Sequence, residues 1–142
     1  MKTLSSEQRA VVEAARRAHE GALARFSKFK VGAAVEADDG RVFAAGNIES
    51  AVYSATMCAE RVAVWKALSE GARAFRRVAV VADTESLTPP CGACRQILWE
   101  FCGGETEIVL VNLRGDSQAM RMGELLPRPF GVDFLDEAEA RE

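Results

Sequence analysis

Two short cysteine clusters, Cys58-Ala59-Glu60-Arg61 and Pro90-Cys91-Gly92-Ala93-Cys94, hold three of the chain's four cysteines. For three thiolates to serve one ion, two segments far apart in the chain must end at the same point in space. Cys58 and Cys91 each follow a predicted strand and loop and open a predicted helix. An architecture that satisfies both conditions brings two helix starts together at one end of a sheet, where ligand sites of α/β sheets lie. The two clusters therefore restrict the fold before any other residue is considered.

The rest of the pattern supplies such a sheet. Residues 5–23 read as a helix with Val11, Ala15, Ala18 and Ala22 on one stripe and a Ser5–Gln8 capping box. Small residues on that stripe predict close packing. Residues 31–37 read as a buried strand, Asp38-Asp39-Gly40 as a turn, and residues 41–45 as the antiparallel return. Residues 58–70 form a second helix closed by Gly71, and residues 78–82 a β-branched strand covered on both faces. A third helix runs from Cys91 to Gly103-Gly104 with Ile97, Leu98 and Phe101 inside it, followed by an apolar strand at 107–112. A brief strand at 119–121 and a short helix at 122–126 complete the order. This order predicts an α/β fold of three layers, α/β/α, around a five-stranded mixed sheet. Right-handed crossovers put the two central helices on the same face. One domain is expected over 1–142, with an unstructured tail from about 135.

Composition narrows the partners. A 142-residue chain that is 49% hydrophobic and 27% charged is ordinary globular material, without repeats or low-complexity tracts. Its net charge of -3 argues against a polyanionic partner, because nucleic-acid affinity rests mainly on Lys and Arg neutralising phosphates. No apolar run approaches the roughly 20 residues that span a bilayer, and Met1-Lys2-Thr3-Leu4 leads into a charged segment with no signal-peptide core. A soluble, cytoplasmic protein is expected, with a small neutral substrate and no membrane or nucleic-acid partner.

The clusters specify a chemistry. Three apart on a helix, Cys91 and Cys94 share a face, and Cys58 adds a third sulfur at the start of another helix. Positive helix ends favour their ionised form. Three protein ligands leave the fourth tetrahedral position of a zinc ion open to water, the arrangement of a catalytic site. Glu60 is then placed to move that water's protons, and Arg61 to offset the excess negative charge by donating to the sulfurs. Cys102 lies eight residues beyond Cys94, about 12 Å along the helix, and reads as a buried cysteine. His19, the sole histidine, reads as a helix-surface or packing residue.

With these residues in place, the chain resembles the small homotetrameric cytidine deaminases over nearly its full length. Phe26-Ser27-Lys28-Phe29-Lys30-Val31-Gly32-Ala33-Ala34 is similar to the family's amino-terminal motif, Asn47-Ile48-Glu49 to its ribose motif, and the two cysteine clusters to its zinc motifs. Leu125-Leu126-Pro127 before Phe130 resembles its carboxy-terminal element. The resemblance implies a cytidine-deaminase-like fold, one Zn2+ per chain on Cys58, Cys91 and Cys94, and hydrolysis of cytidine and deoxycytidine to uridine and deoxyuridine with release of ammonia, in pyrimidine salvage. Zinc-bound hydroxide would attack the amino-bearing ring carbon, with Glu60 as proton shuttle. The same resemblance implies that Asn47 and Glu49 hold the ribose 3'-hydroxyl, that Phe29 packs on the nucleoside, and that the Ala59 amide meets the pyrimidine carbonyl. It further implies a homotetramer in which Phe130 reaches a neighbouring subunit's site and Tyr53 lies at subunit contacts.

The chain departs from the family pattern at Arg25-Phe26, where Pro-Tyr is usual, and at Gly46 and Ser50, where Cys and Asn are common. These changes bear on sugar and base selectivity. Rival readings are a blasticidin-S-type deaminase acting on a modified cytosine nucleoside and, from another class, a non-catalytic zinc-binding module.

Overall fold

The computed structural model describes residues 3–141. Met1 and Lys2, the start of the stretch read as lacking a signal-peptide core, lie outside the described residues, as does Glu142. Helix α1 (Ser6–Glu20) precedes the hairpin β1 (Val31–Ala37) and β2 (Val42–Gly46). Then come α2 (Ala59–Ser69), β3 (Phe75–Ala82), α3 (Gly92–Cys102), β4 (Glu107–Asn112), β5 (Ser117–Arg121), α4 (Met122–Leu125) and α5 (Asp133–Glu139). The strands form one five-stranded sheet in the order β2-β1-β3-β4-β5. Only β3 and β4 are parallel, joined through α3, so the sheet is mixed as expected.

Alternation along the central strands builds two cores. Ala33 and Val35 of β1, Val78 and Val80 of β3, and Ile108 and Leu110 of β4 face α2 and α3, meeting Ala63, Val64, Ala67 and Leu98. Their sequence neighbours Ala34, Ala79, Val81, Val109 and Val111 face Val11, Val12 and Ala15 of α1. Side chains of a strand point alternately to opposite faces, so an unbroken apolar run serves both layers. Leu98 is fully buried, and truncating such a residue to alanine costs about 2–5 kcal/mol.

The α1 face depends on glycine. A Cβ on Gly32 would stand 2.0 Å from the Ala15 carbonyl oxygen and 2.5 Å from the His19 nitrogen. Helix backbone thus rests directly on strand backbone, which is the close packing that the small residues predict. His19 is buried at this contact as a packing residue, and Ala18, expected on the stripe, is only half-buried.

Several boundaries differ from the expectation. α1 stops at Glu20 rather than 23. β3 begins at Phe75 rather than 78, because Arg77 is held inside the sheet by Glu36 at 2.6 Å and Glu107 at 2.9 Å. β5 begins at 117, and residues 135–139 of the segment read as an unstructured tail lie in α5. There Asp133 and Asp136 suit the positive start of the helix, and Phe134 stacks on Phe130 with ring centroids 5.9 Å apart.

Candidate active site

Strand directions decide where the site lies. β2 is antiparallel to β1, and β1 to β3, so the carboxyl ends of β2 and β3 meet the start of β1 at one end of the sheet. Three connections converge there: the loop into β1, the loop from β2 to α2, and the loop from β3 to α3.

Cys58 and Cys91 are the N-caps of α2 and α3, and neither side chain makes a capping hydrogen bond to a backbone amide of its helix. Their sulfurs instead lie 3.8 Å from each other. Buried Cys94, one turn into α3, joins them, and all three Sγ atoms fall within 4.8 Å of one another. A tetrahedral ion with zinc–sulfur bonds of about 2.3 Å needs sulfurs about 3.8 Å apart. The Cys58–Cys91 separation matches that spacing, Cys94 lies close enough to share the ion, and three soft donors suit zinc in their chemistry. Cys102 is apart from this group, its thiol pushed up to about 12 by burial.

The sulfurs are polarised before any ion is considered. A hydrogen bond from Cys94, with support from Arg61, brings the Cys58 thiol down to about 5, while the same bond pushes the Cys94 thiol up. Arg61 Nη2 donates to Cys58 Sγ at 3.4 Å, which puts the guanidinium where the sequence expected it. Beside them Glu60, in the first turn of α2, is only 4% exposed. Burial raises its carboxyl to about 7, and the Cys58 charge adds to the rise. A group with that affinity both takes and returns a proton near neutral pH.

Glu60 opens onto a cavity of about 290 Å³ at the small-molecule end of ligand pockets. Phe29, Asn47, Glu49, Cys58, Ala59 and Cys91 line it as well, so most expected site residues meet there. The apolar wall of Val31, Val80 and Pro89 was not foreseen. Nothing local marks valines of β1 and β3 as cavity residues.

Asn47 and Glu49 come from an extended segment tied on both sides. Leu23 N–H donates to the Asn47 carbonyl at 2.8 Å and Glu49 N–H to that of Leu23 at 2.9 Å, while Ile48 and Met57 exchange bonds of 3.0 and 2.9 Å. Residues two apart on extended backbone share a side, so both polar side chains line the cavity while Ile48 stays 46% exposed. Asn47 Oδ1 accepts from Val31 N–H at 2.9 Å, and its Nδ2 donates to the Phe29 carbonyl at 2.9 Å. Glu49 Oε1 accepts from the amides of Phe26 and Ser27, both at 2.9 Å, and Oε2 from the Ser27 hydroxyl. These bonds hold its carboxyl below the usual range, the Ser27 hydroxyl most of all. The sequence did not single out Ser27 for any such role.

Phe130 does not line the cavity. It is exposed, its carbonyl accepting from Gln96 Nε2 at 2.7 Å. Tyr53 is 74% exposed and meets Phe26 edge-on at 5.5 Å. The departures from the family pattern have structural roles. Arg25 lies over the Phe26 ring at 5.3 Å and donates to the Glu49 carbonyl at 3.4 Å. Gly46 admits the end of α1 and the residues after it, since a Cβ there would stand 2.8 Å from the Ala18 carbonyl oxygen and 2.7 Å from the Ala22 Cα. Ser50 accepts from Val52 N–H at 3.0 Å within the loop.

A family model described as the cytidine and deoxycytidylate deaminase zinc-binding region matches residues 5–111. The cytidine deaminase of Sporosarcina psychrophila is 46% identical over 128 residues, 90% of this chain and 94% of that one. That of Halalkalibacterium halodurans is 45% identical over 131 residues, 92% of this chain and 99% of that one. The crystal structure of cytidine deaminase from Burkholderia pseudomallei superposes with a TM-score of 0.84 at 43% identity, covering 89% of this chain and all of that one.

Proposed function

The chain belongs to the cytidine and deoxycytidylate deaminase family, and on that premise we propose that it hydrolyses cytidine and deoxycytidine to uridine and deoxyuridine with release of ammonia. The observation that carries this reading is buried Glu60 beside three converging sulfurs, in a cavity that also presents Asn47 and Glu49.

Cys58, Cys91 and Cys94 are the residues that would hold zinc. When bound, zinc supplies the Lewis acidity that makes water a competent nucleophile near neutral pH. Glu60 takes one proton from the attacking water and delivers it to N3 of the pyrimidine as oxygen adds to the amino-bearing carbon. Glu60 then carries the second proton of that water to the amino group, which leaves as ammonia. The Ala59 amide, an N–H in the first turn of α2 with no partner within its helix, donates to the ring carbonyl. Phe29 packs on the nucleoside, and Asn47 and Glu49 bind the 3'-hydroxyl through the hydrogen-bonding capacity their loop bonds leave over. Arg61 offsets the charge on the sulfurs.

The active form in this reading is a homotetramer, with Phe130 of each subunit reaching a neighbouring site. Exposed Phe130, Val132, Phe134 and Leu135 support that assembly, since exposed apolar clusters mark contact surfaces. We place the activity in pyrimidine salvage in the cytoplasm. No helix among the described residues is long and apolar enough to cross a membrane.

Protein of known zinc content, offered cytidine, deoxycytidine, cytosine, cytidine monophosphate and blasticidin S, tests the proposal by ammonia release and uridine absorbance. Turnover of the two nucleosides should exceed the others. Preference for the monophosphate or for blasticidin S would replace this substrate assignment.

A further inference from the structure

Ser27 stands at the centre of the hydrogen bonds that join the loop before β1 to the polar pair in the cavity. Its hydroxyl donates to Glu49 Oε2 and accepts from the Phe29 amide at 3.0 Å, while its own amide donates to Glu49 Oε1 at 2.9 Å. The Phe26 amide also donates to Oε1, at 2.9 Å, so two consecutive residues grip both carboxylate oxygens. A hydroxyl has a single proton, and here it is given to Glu49, leaving lone pairs for Phe29. A carboxylate offers about four acceptor positions. Three are filled by Phe26 and Ser27, and the one left belongs to Oε2.

We propose that Ser27 is a positioning residue for the sugar: its hydroxyl fixes the Glu49 carboxylate so that one Oε2 lone pair is kept for the ribose 3'-hydroxyl, and holds Phe29 in register with it. The assignment rests on the reading that Asn47 and Glu49 bind that hydroxyl. Without the Ser27 hydroxyl, Oε2 loses its only loop partner and the Phe29 amide loses its acceptor, so two nucleoside contacts loosen together. The reacting carbon and Glu60 are not touched. Binding shared by ground and transition states is weakened, which raises KM more than it lowers kcat.

The test is steady-state kinetics of zinc-loaded wild type, Ser27→Ala and Ser27→Thr with cytidine and 3'-deoxycytidine. Wild type should prefer cytidine. Ser27→Ala should raise KM for cytidine roughly tenfold, keep kcat within about twofold, and shrink the preference for the 3'-hydroxyl. Ser27→Thr, which keeps the hydroxyl, should recover most of the loss. If Ser27→Ala does not fold, Ser27→Cys, close in volume with a weak donor, carries the same expectation. A serine variant that keeps both KM and preference overturns the Ser27 assignment alone. An equal loss with both substrates also overturns it, since that is what loop damage by itself produces. A wild type with no preference between the two nucleosides overturns the 3'-hydroxyl reading, and Ser27's role with it.

Discussion

Ser5 and Cys91 occupy the same position in their helices on nearly the same backbone, φ -66° and ψ 167° against φ -65° and ψ 169°. Ser5 turns its side chain inward. Its hydroxyl accepts from Gln8 N–H at 3.1 Å while Gln8 Oε1 accepts from Ser5 N–H at 2.9 Å, closing the helix start. Cys91 makes no such bond and sets its sulfur 3.8 Å from that of Cys58, the equally uncapped start of α2. One cap position thus closes α1 and leaves α2 and α3 open for chemistry. The positive ends that a serine would satisfy are spent on thiolates. The two faces of the sheet divide the same way, α1 resting on glycine-lined backbone and α2 and α3 carrying the site.

The largest effect should come from the chemical end of this contrast. Glu60→Gln should lower turnover about a thousandfold or more with zinc content unchanged. Near-normal turnover in zinc-loaded protein would remove Glu60 from the proton path.

On the structural side, Gly32→Ala should cost about 3 kcal/mol in urea unfolding, because its Cβ meets the Ala15 carbonyl oxygen. In the protein that remains folded, zinc content should be untouched. A neutral substitution would mean that α1 is free to lift off the sheet.

Two smaller changes exchange the roles of the caps. Ser5→Ala should destabilise by about 1 kcal/mol with kinetics unchanged. Cys91→Ser should bind zinc far more weakly, yet after chelation it should unfold about 1 kcal/mol later than chelated wild type, since serine can close the helix that cysteine leaves open. Metal analysis paired with denaturant unfolding checks both arms. A chelated variant no more stable than its parent would mean that the matching backbone angles do not make the two caps equivalent.

Much of the fold was legible where a signal is local. β1 and β4 fall on the expected residues because their apolar runs end at polar turns, and the Ser5–Gln8 box is a pattern four residues long. Legibility failed where a distant partner decides. Arg76 and Arg77 read as outside a strand, yet Arg77 lies within it because Glu36 and Glu107 arrive from β1 and β4. Asn47 and Glu49 were assigned by resemblance, but their hold on Phe26, Ser27, Phe29 and Val31 depends on two loops meeting, and neither loop announces the other.

The sequence by itself determined the donors, their spacing and their place at helix starts, because cap preference and helical periodicity act over a few residues. Tertiary structure alone decided that Glu60 is buried enough to hold a proton near neutral pH and that Phe130 does not line its own chain's cavity. Those outcomes follow from packing and desolvation, which depend on contacts between residues far apart in the chain.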